Sequence, residues 1–292
     1  MRNLQGFWKA FPEGDRISRG LCRRLACHFP GYFSEKLKSP IFFVGFNNGG
    51  KSRLVNLLRN DLSASFYPDE GNGEFWFKDF FPWAQAQPDI TPIWYNPEAF
   101  VSKVLAHRED NFQLSRAYLG AYQYLMNTPS IINDSGMLGA LVPDMYSAFP
   151  GAKFVHVIRD GRVGSYLSAR KEWCNMMRSP SVYEAKGCSL DFQDVLGRMI
   201  HYWAWTVKRV QSVAKQDASN VFEIRYENWC ENPEEVYSEL VQFIENKAPS
   251  QKCLKHLNLK NMNNIVLNDY TDRDIETVQR VAGKELKELG YC

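Results

Sequence analysis

The sequence predicts an α/β fold: a central parallel β-sheet, entered through a P-loop-like turn, with helices packed on both faces. Three observations carry this. Short apolar runs alternate along the chain with segments of helical periodicity. The first run, IFFV at 41–44, leads straight into GFNNGGKS at 45–52, in the order strand, glycine loop, helix. The clearest run, Lys153 to Ile158, ends in Arg159-Asp160-Gly161-Arg162 and opens another helix.

Taken in order, the first 38 residues carry eight Lys/Arg against three Asp/Glu, together with Trp8, Phe11, Phe29, Tyr32 and Phe33. This basic, aromatic arm (1–38) reads as a solvated face that also packs on the body of the protein or near a ligand. Ile41 to Val44 suits a buried parallel strand, and Leu54, Leu57 and Leu58 follow at helical spacing. The stretch 71–96 is dense in aromatics and proline, an ordered excursion that is either a satellite core or the wall of an acceptor pocket. Helices are expected at 97–108 and 111–126, a strand at 130–132 and a helix at 137–148. After Lys153–Ile158 and its helix, 173–188 reads as an insertion that forms a lid over the acceptor. A long helix at 190–215, a strand at Val221–Arg225 and a proline-opened helix to about Asn246 complete the pattern. With no repeat, low-complexity tract or boundary, residues 1–292 are expected to form one domain.

At 292 residues, 45% apolar and 23% charged, the chain is long enough to bury a large core. A net charge of +2 argues against wholesale nucleic-acid binding. No apolar run approaches the roughly 18 residues of a membrane span, and no signal segment opens the chain, so a cytoplasmic protein is expected. The seven cysteines contain no C-x-x-C pair and read as reduced thiols; Cys22, Cys27 and His28 match no common zinc spacing.

Three clusters bear chemistry. In the loop, Gly45, Gly49 and Gly50 permit close backbone approach, amides opening a helix form an anion nest, and Lys51 and Ser52 add a cation and a hydroxyl. In FVHVIRDGRVGSYLSAR, 154–170, a strand delivers Arg159 to the carboxyl edge of the sheet, Asp160 is placed to cap the next helix, and Ser165 and Ser168 follow on it. The bland alternative is that Arg159 and Arg162 pair with surface carboxylates. In VFEIRYENWCENPEEV, a strand ends at Tyr226-Glu227. His156, inside an apolar strand, reads as a hydrogen-bonded core residue, and Trp203 and Trp205 as helix packing.

In this order and spacing GFNNGGKS, FVHVIRDGR, IRYENWCENPEEV and GKELKELGYC resemble the sulfotransferases that use 3′-phosphoadenosine 5′-phosphosulfate, over roughly residues 40 to 292. The resemblance implies the sulfotransferase fold, a donor loop for the 5′-phosphosulfate and Arg159 with a helix serine for the 3′-phosphate. It implies in-line sulfuryl transfer to a hydroxyl or amino group of a small-molecule acceptor and requires no metal; the net charge gives the expectation of no nucleic-acid partner. The corresponding donor-binding residues are Asn47, Asn48, Gly49, Gly50, Lys51, Ser52, Arg53, Arg159, Ser165, Ser168 and Tyr226, the last at the nucleoside edge.

Two departures stand out. The basic residue usual in the family loop falls on Asn48, so the cation shifts to Lys51, with Arg53 as a second candidate. The helix serine usual eight residues after the arginine falls on Leu167, leaving Ser168 ahead of Ser165. Candidates for the general base are, in order, Glu70, Asp134, Glu74 and His107. Read alone, GFNNGGKS also fits a P-loop kinase or NTPase, with Asp134 or Asp160 as the magnesium acid; a non-catalytic nucleotide-binding protein is the third reading.

Overall fold

The computed structural model describes residues 16–67, 92–134, 136–255, 257 and 259–291. Strands β1 (Pro40–Val44), β2 (Ala64–Tyr67), β3 (Ser130–Asp134), β4 (Lys153–Ile158) and β5 (Val221–Arg225) form one sheet in the order β2-β3-β1-β4-β5. Every pairing is parallel. The helices are α1 (Arg16–His28), α2 (Pro30–Lys36), α3 (Lys51–Leu58), α4 (Pro97–Leu105), α5 (Arg108–Met126), α6 (Val142–Ala148) and α7 (Gly161–Arg178). They continue as α8 (Pro180–Glu184), α9 (Phe192–Gln216), α10 (Tyr226–Glu231), α11 (Pro233–Glu245), α12 (Gln251–Leu254), α13 (Asn263–Leu267) and α14 (Asp272–Glu288).

The alternation of side chains along each strand divides the core in two. Phe42, Val44, Phe154 and Ile158 face a cluster that includes α5, α6, α9 and α14; Phe42 lies 5.6 Å from Phe154 and 5.1 Å from Phe149, centroid to centroid. Ile41, Phe43, Val155, Val157 and Ile224 face Leu54, Val55 and Leu58 of α3 and Leu240 and Val241 of α11. Every residue of β1 is buried, as expected of a central strand covered on both sides. His156 is a core residue, fully buried with Nδ1 2.8 Å from Glu223 Oε1.

The basic arm is partly a packed element. In α1 and α2, Cys22, Ala26 and Phe33 are buried, and Gln123 of α5 both accepts from the Lys38 amide (2.8 Å) and donates to its carbonyl (3.0 Å). Phe29 and Tyr32 remain exposed. Trp8 and Phe11 lie outside the described residues, as do Glu70, Glu74 and most of the aromatic stretch; its described end buries Ile93 and Tyr95 in the main core.

Four local expectations change. Strand β2 was not expected, because ASFY is too short and serine-interrupted to show a period. Strand β3 runs two residues past Ile132 and so carries Asp134 to its tip. The helix expected at 137–148 is a 3₁₀ turn, Gly136–Leu141, followed by α6, since Pro143 has no N–H to continue a preceding helix and suits a first turn. The supposed insertion at 173–188 is largely helix: α7 continues to Arg178, Ser179 leaves the helical region before Pro180, and α8 runs on to Glu184.

Candidate active site

The chain leaves β1 at the sheet centre and returns on either side of it, so the tips of β3, β1 and β4 converge where parallel sheets bind ligands. The loop between β1 and α3 turns through three left-handed positions, Gly45 (φ 132°), Asn48 (φ 61°) and Gly50 (φ 93°). A Cβ on Gly45 would stand 2.3 Å from the Val157 carbonyl oxygen, so only glycine lets the loop lie against β4. Gly45→Ala is expected to cost about 2–4 kcal/mol of stability, combining clash and backbone strain, as measured by denaturant unfolding. Asparagine is among the few other residues that tolerate the left-handed region, which accounts for its presence at position 48.

Gly50 caps α3 without a side-chain hydrogen bond, leaving the first-turn amides of Lys51, Ser52 and Arg53 directed to the loop mouth. Lys51 is buried, and its Nζ donates to the carbonyls of Gly45 (3.1 Å) and Phe46 (3.0 Å), so its charge is fixed inside the loop. Ser52 and Arg53 are exposed at the start of the helix, and Asn47 is exposed in the loop. Asp134 lies beside Phe43 in the sheet register, at the tip of β3. Burial pushes its carboxyl above the usual range, opposed by Lys51, the Ser52 hydroxyl and Arg59. His107, by contrast, stands exposed at the N-cap of α5.

On the other side of the loop, Asn48 Nδ2 donates to Ser168 Oγ at 3.0 Å. Arg159 Nη1 donates to the Asn48 carbonyl (2.7 Å), and Arg159 Nε to Asn263 Oδ1 (2.8 Å). Its guanidinium carbon sits 4.2 Å from the centroid of the Tyr226 ring. Tyr226, buried, thus supports Arg159, while its hydroxyl donates to the Lys260 carbonyl. Ser165 is fully buried with its hydroxyl unpartnered among the described residues, so Ser168 is the helix serine joined to the loop. Asp160 caps α7 through the Arg162 amide (3.0 Å), and Arg162 turns back to form a two-pronged ion pair with that same carboxylate. The bland reading therefore describes Arg162 but not Arg159, for which no carboxylate partner is seen among the described residues.

Sequence reasoning placed Glu227 at a strand end without giving it a role, and did not single out Asn263 or Tyr291. Glu227 Oε1 accepts from Asn263 Nδ2 (2.7 Å) and the Asp160 amide (3.0 Å), and Oε2 from the Tyr291 hydroxyl (3.0 Å). The RYEN motif and the terminal LGY pointed to their neighbourhoods, but Asn263 lies in a segment with no motif of its own.

Fold and site together define an α/β protein with a P-loop-like turn at the centre of a parallel sheet, flanked by a strand-end carboxylate and a strand-end arginine. The sulfotransferase family profile matches residues 40–249, more than half of the chain, and the chain belongs to that family. No curated protein sequence matches it. Similar solved structures are sulfotransferase STF9 from Mycobacterium avium (12% identity, 96% of this chain and 88% of that one, TM-score 0.59) and the sulfotransferase domain from the curacin biosynthetic pathway (16%, 88% and 99%, TM-score 0.51). At these identities the likeness speaks for the fold. Among the described residues no helix is long and apolar enough to cross a membrane.

Proposed function

We propose that this sulfotransferase-family protein moves a sulfuryl group from 3′-phosphoadenosine 5′-phosphosulfate to a hydroxyl or amino group of a small-molecule acceptor. The observation that carries the reading is the placement of Lys51 and Asp134 on one side of the loop and Ser168 and Arg159 on the other. Two separate cations, Lys51 with the α3 amides and Arg159 with Ser168, suit a donor with phosphate groups on both the 5′ and the 3′ positions of its ribose. In the transfer, the acceptor oxygen or nitrogen forms a bond to sulfur, the bond from sulfur to the 5′-phosphate oxygen breaks, and the leaving phosphate takes up negative charge. The α3 amides and Lys51 stabilise that charge, Arg159 and Ser168 hold the 3′-phosphate, and Asp134 takes the acceptor proton. Glu70 and Glu74 remain candidates for the same proton, outside the described residues. The reading is tested by titrating 3′,5′-ADP and then supplying donor with a panel of hydroxyl and amine acceptors; no nucleotide binding would overturn it.

A base with a raised pKa gives a pH profile with a definite sign. Transfer should rise with pH through a limb lying above the ordinary carboxylate range, and Asp134→Asn should abolish it. The same shift means that the native state holds a proton the unfolded chain has already lost. Stability then falls as pH rises from about 4 through the raised value. Asp134→Asn is accordingly expected to match or exceed the wild type in thermal stability at neutral pH while transferring poorly.

One observation favours a second reading. A hydroxyl at the start of the loop's helix beside an acid on the neighbouring strand tip, here Ser52 and Asp134, is also how Mg²⁺-nucleotide loops are organised. Mg²⁺-dependent ATP or GTP turnover by the purified protein would establish that reading instead.

A further inference from the structure

We infer that Asn263 is a positioning residue that converts the carboxylate of Glu227 into an orienting support for Arg159 without neutralising it. The inference rests on the proposed donor site. Glu227 sits just past β5 and makes three hydrogen bonds, to the backbone of the β4–α7 turn, to Asn263 on α13 and to Tyr291 near the chain end. Elements distant in sequence are thereby fixed to one anion next to Arg159.

The chemistry of the chain Glu227, Asn263, Arg159 admits only one polarity. An ionised carboxylate only accepts and a guanidinium only donates, so a residue between them must present a donor on one side and an acceptor on the other. The Asn263 amide does so: Nδ2 donates to Glu227 and Oδ1 accepts from Arg159 Nε. Its orientation is thereby set by its two neighbours, and Asn263 is buried, so water does not compete.

The arrangement also explains why the nearby acid is not an ion-pair partner. A carboxylate bound directly to Arg159 would occupy its fork and compete with an incoming phosphate. Through the amide, Glu227 fixes the Nε edge while its negative charge stays one residue removed. The Asn48 carbonyl fixes Nη1 and the Tyr226 ring fixes the plane. Of the five N–H donors of a guanidinium, two are engaged among the described residues, leaving three for a ligand.

The test compares dissociation constants for 3′,5′-ADP and 5′-AMP, which differ only in the 3′-phosphate, by calorimetry on the full chain. Wild type should prefer 3′,5′-ADP; if it binds neither, or both alike, the donor-site reading itself fails. Given that preference, Asn263→Ala should lower the ratio about tenfold or more, with 5′-AMP affinity within about twofold of wild type. Asn263→Asp, which places a carboxylate directly against Arg159, should lower it further. Equal weakening of both ligands, or no change in the ratio, overturns the inference in favour of a merely structural role. If melting curves show that Asn263→Ala does not fold, Tyr291→Phe, which removes one of the three bonds to Glu227, is read by the same ratio: a fall of about threefold or more supports the inference and an unchanged ratio rejects it.

Discussion

Lys51→Ala is expected to lower the transfer rate by about 10²–10³-fold, the loss typical of removing one preorganised group that stabilises developing negative charge. Asn48→Ala should cost far less. The contrast follows from where the two side chains lie. The Lys51 ammonium is buried and held on two carbonyls of its own loop, whereas Asn48 directs its amide away, to Ser168. Because the charge is already oriented, little reorganisation opposes its use as the 5′-phosphate departs. Lys51→Arg is a useful companion: it retains charge, but a planar guanidinium does not reproduce the two bonds that the buried ammonium makes to the Gly45 and Phe46 carbonyls, so it should recover only part of the rate. Single-turnover rates at saturating donor separate these effects from binding. A Lys51→Ala protein that is folded and near fully active would show that another cation, such as Arg53, bears the role.

The second large effect is expected at Arg159. Arg159→Ala should weaken 3′,5′-ADP by about 100-fold or more, since charge-assisted bonds are worth about 1.5–3 kcal/mol each and a phosphate takes more than one. It should leave 5′-AMP nearly unaffected. Arg159→Lys should not rescue: a lysine has neither the Nε that meets Asn263 nor a planar face to lie over Tyr226. Retention of full discrimination by Arg159→Lys would mean that the site uses only a point charge.

Much of this was legible in the sequence because the relevant signals are local. The strand, loop and helix at 41–58 follow from an apolar run, glycines and helical spacing, all within 20 residues. Lys153–Ile158 read correctly to the residue, since a buried parallel strand is a near-continuous apolar run, and Val221–Arg225 did so too although this edge strand exposes Glu223 and Arg225. Less legible were features set by partners far along the chain. Ser168 rather than Ser165 is tied to the loop because the rotation of α7 against β1 decides which hydroxyl faces Asn48. Arg159 and Arg162 have the same side chain and lie three residues apart; one is held open by Asn48 and Asn263 and the other is consumed by Asp160.

The sequence by itself determined the parallel α/β architecture, the position of the loop at its centre and the family to which the chain belongs, because hydrophobic period, glycine placement and strand-end motifs act over a few residues. Only the tertiary structure decided how charge is distributed among the site residues. The half-buried Asp134 and the amide between Glu227 and Arg159 depend on desolvation and on hydrogen bonds between segments tens to more than a hundred residues apart, which arise only when the sheet brings the strand ends together, whereas Lys51 is held by carbonyls of its own loop and owes only its burial to the fold.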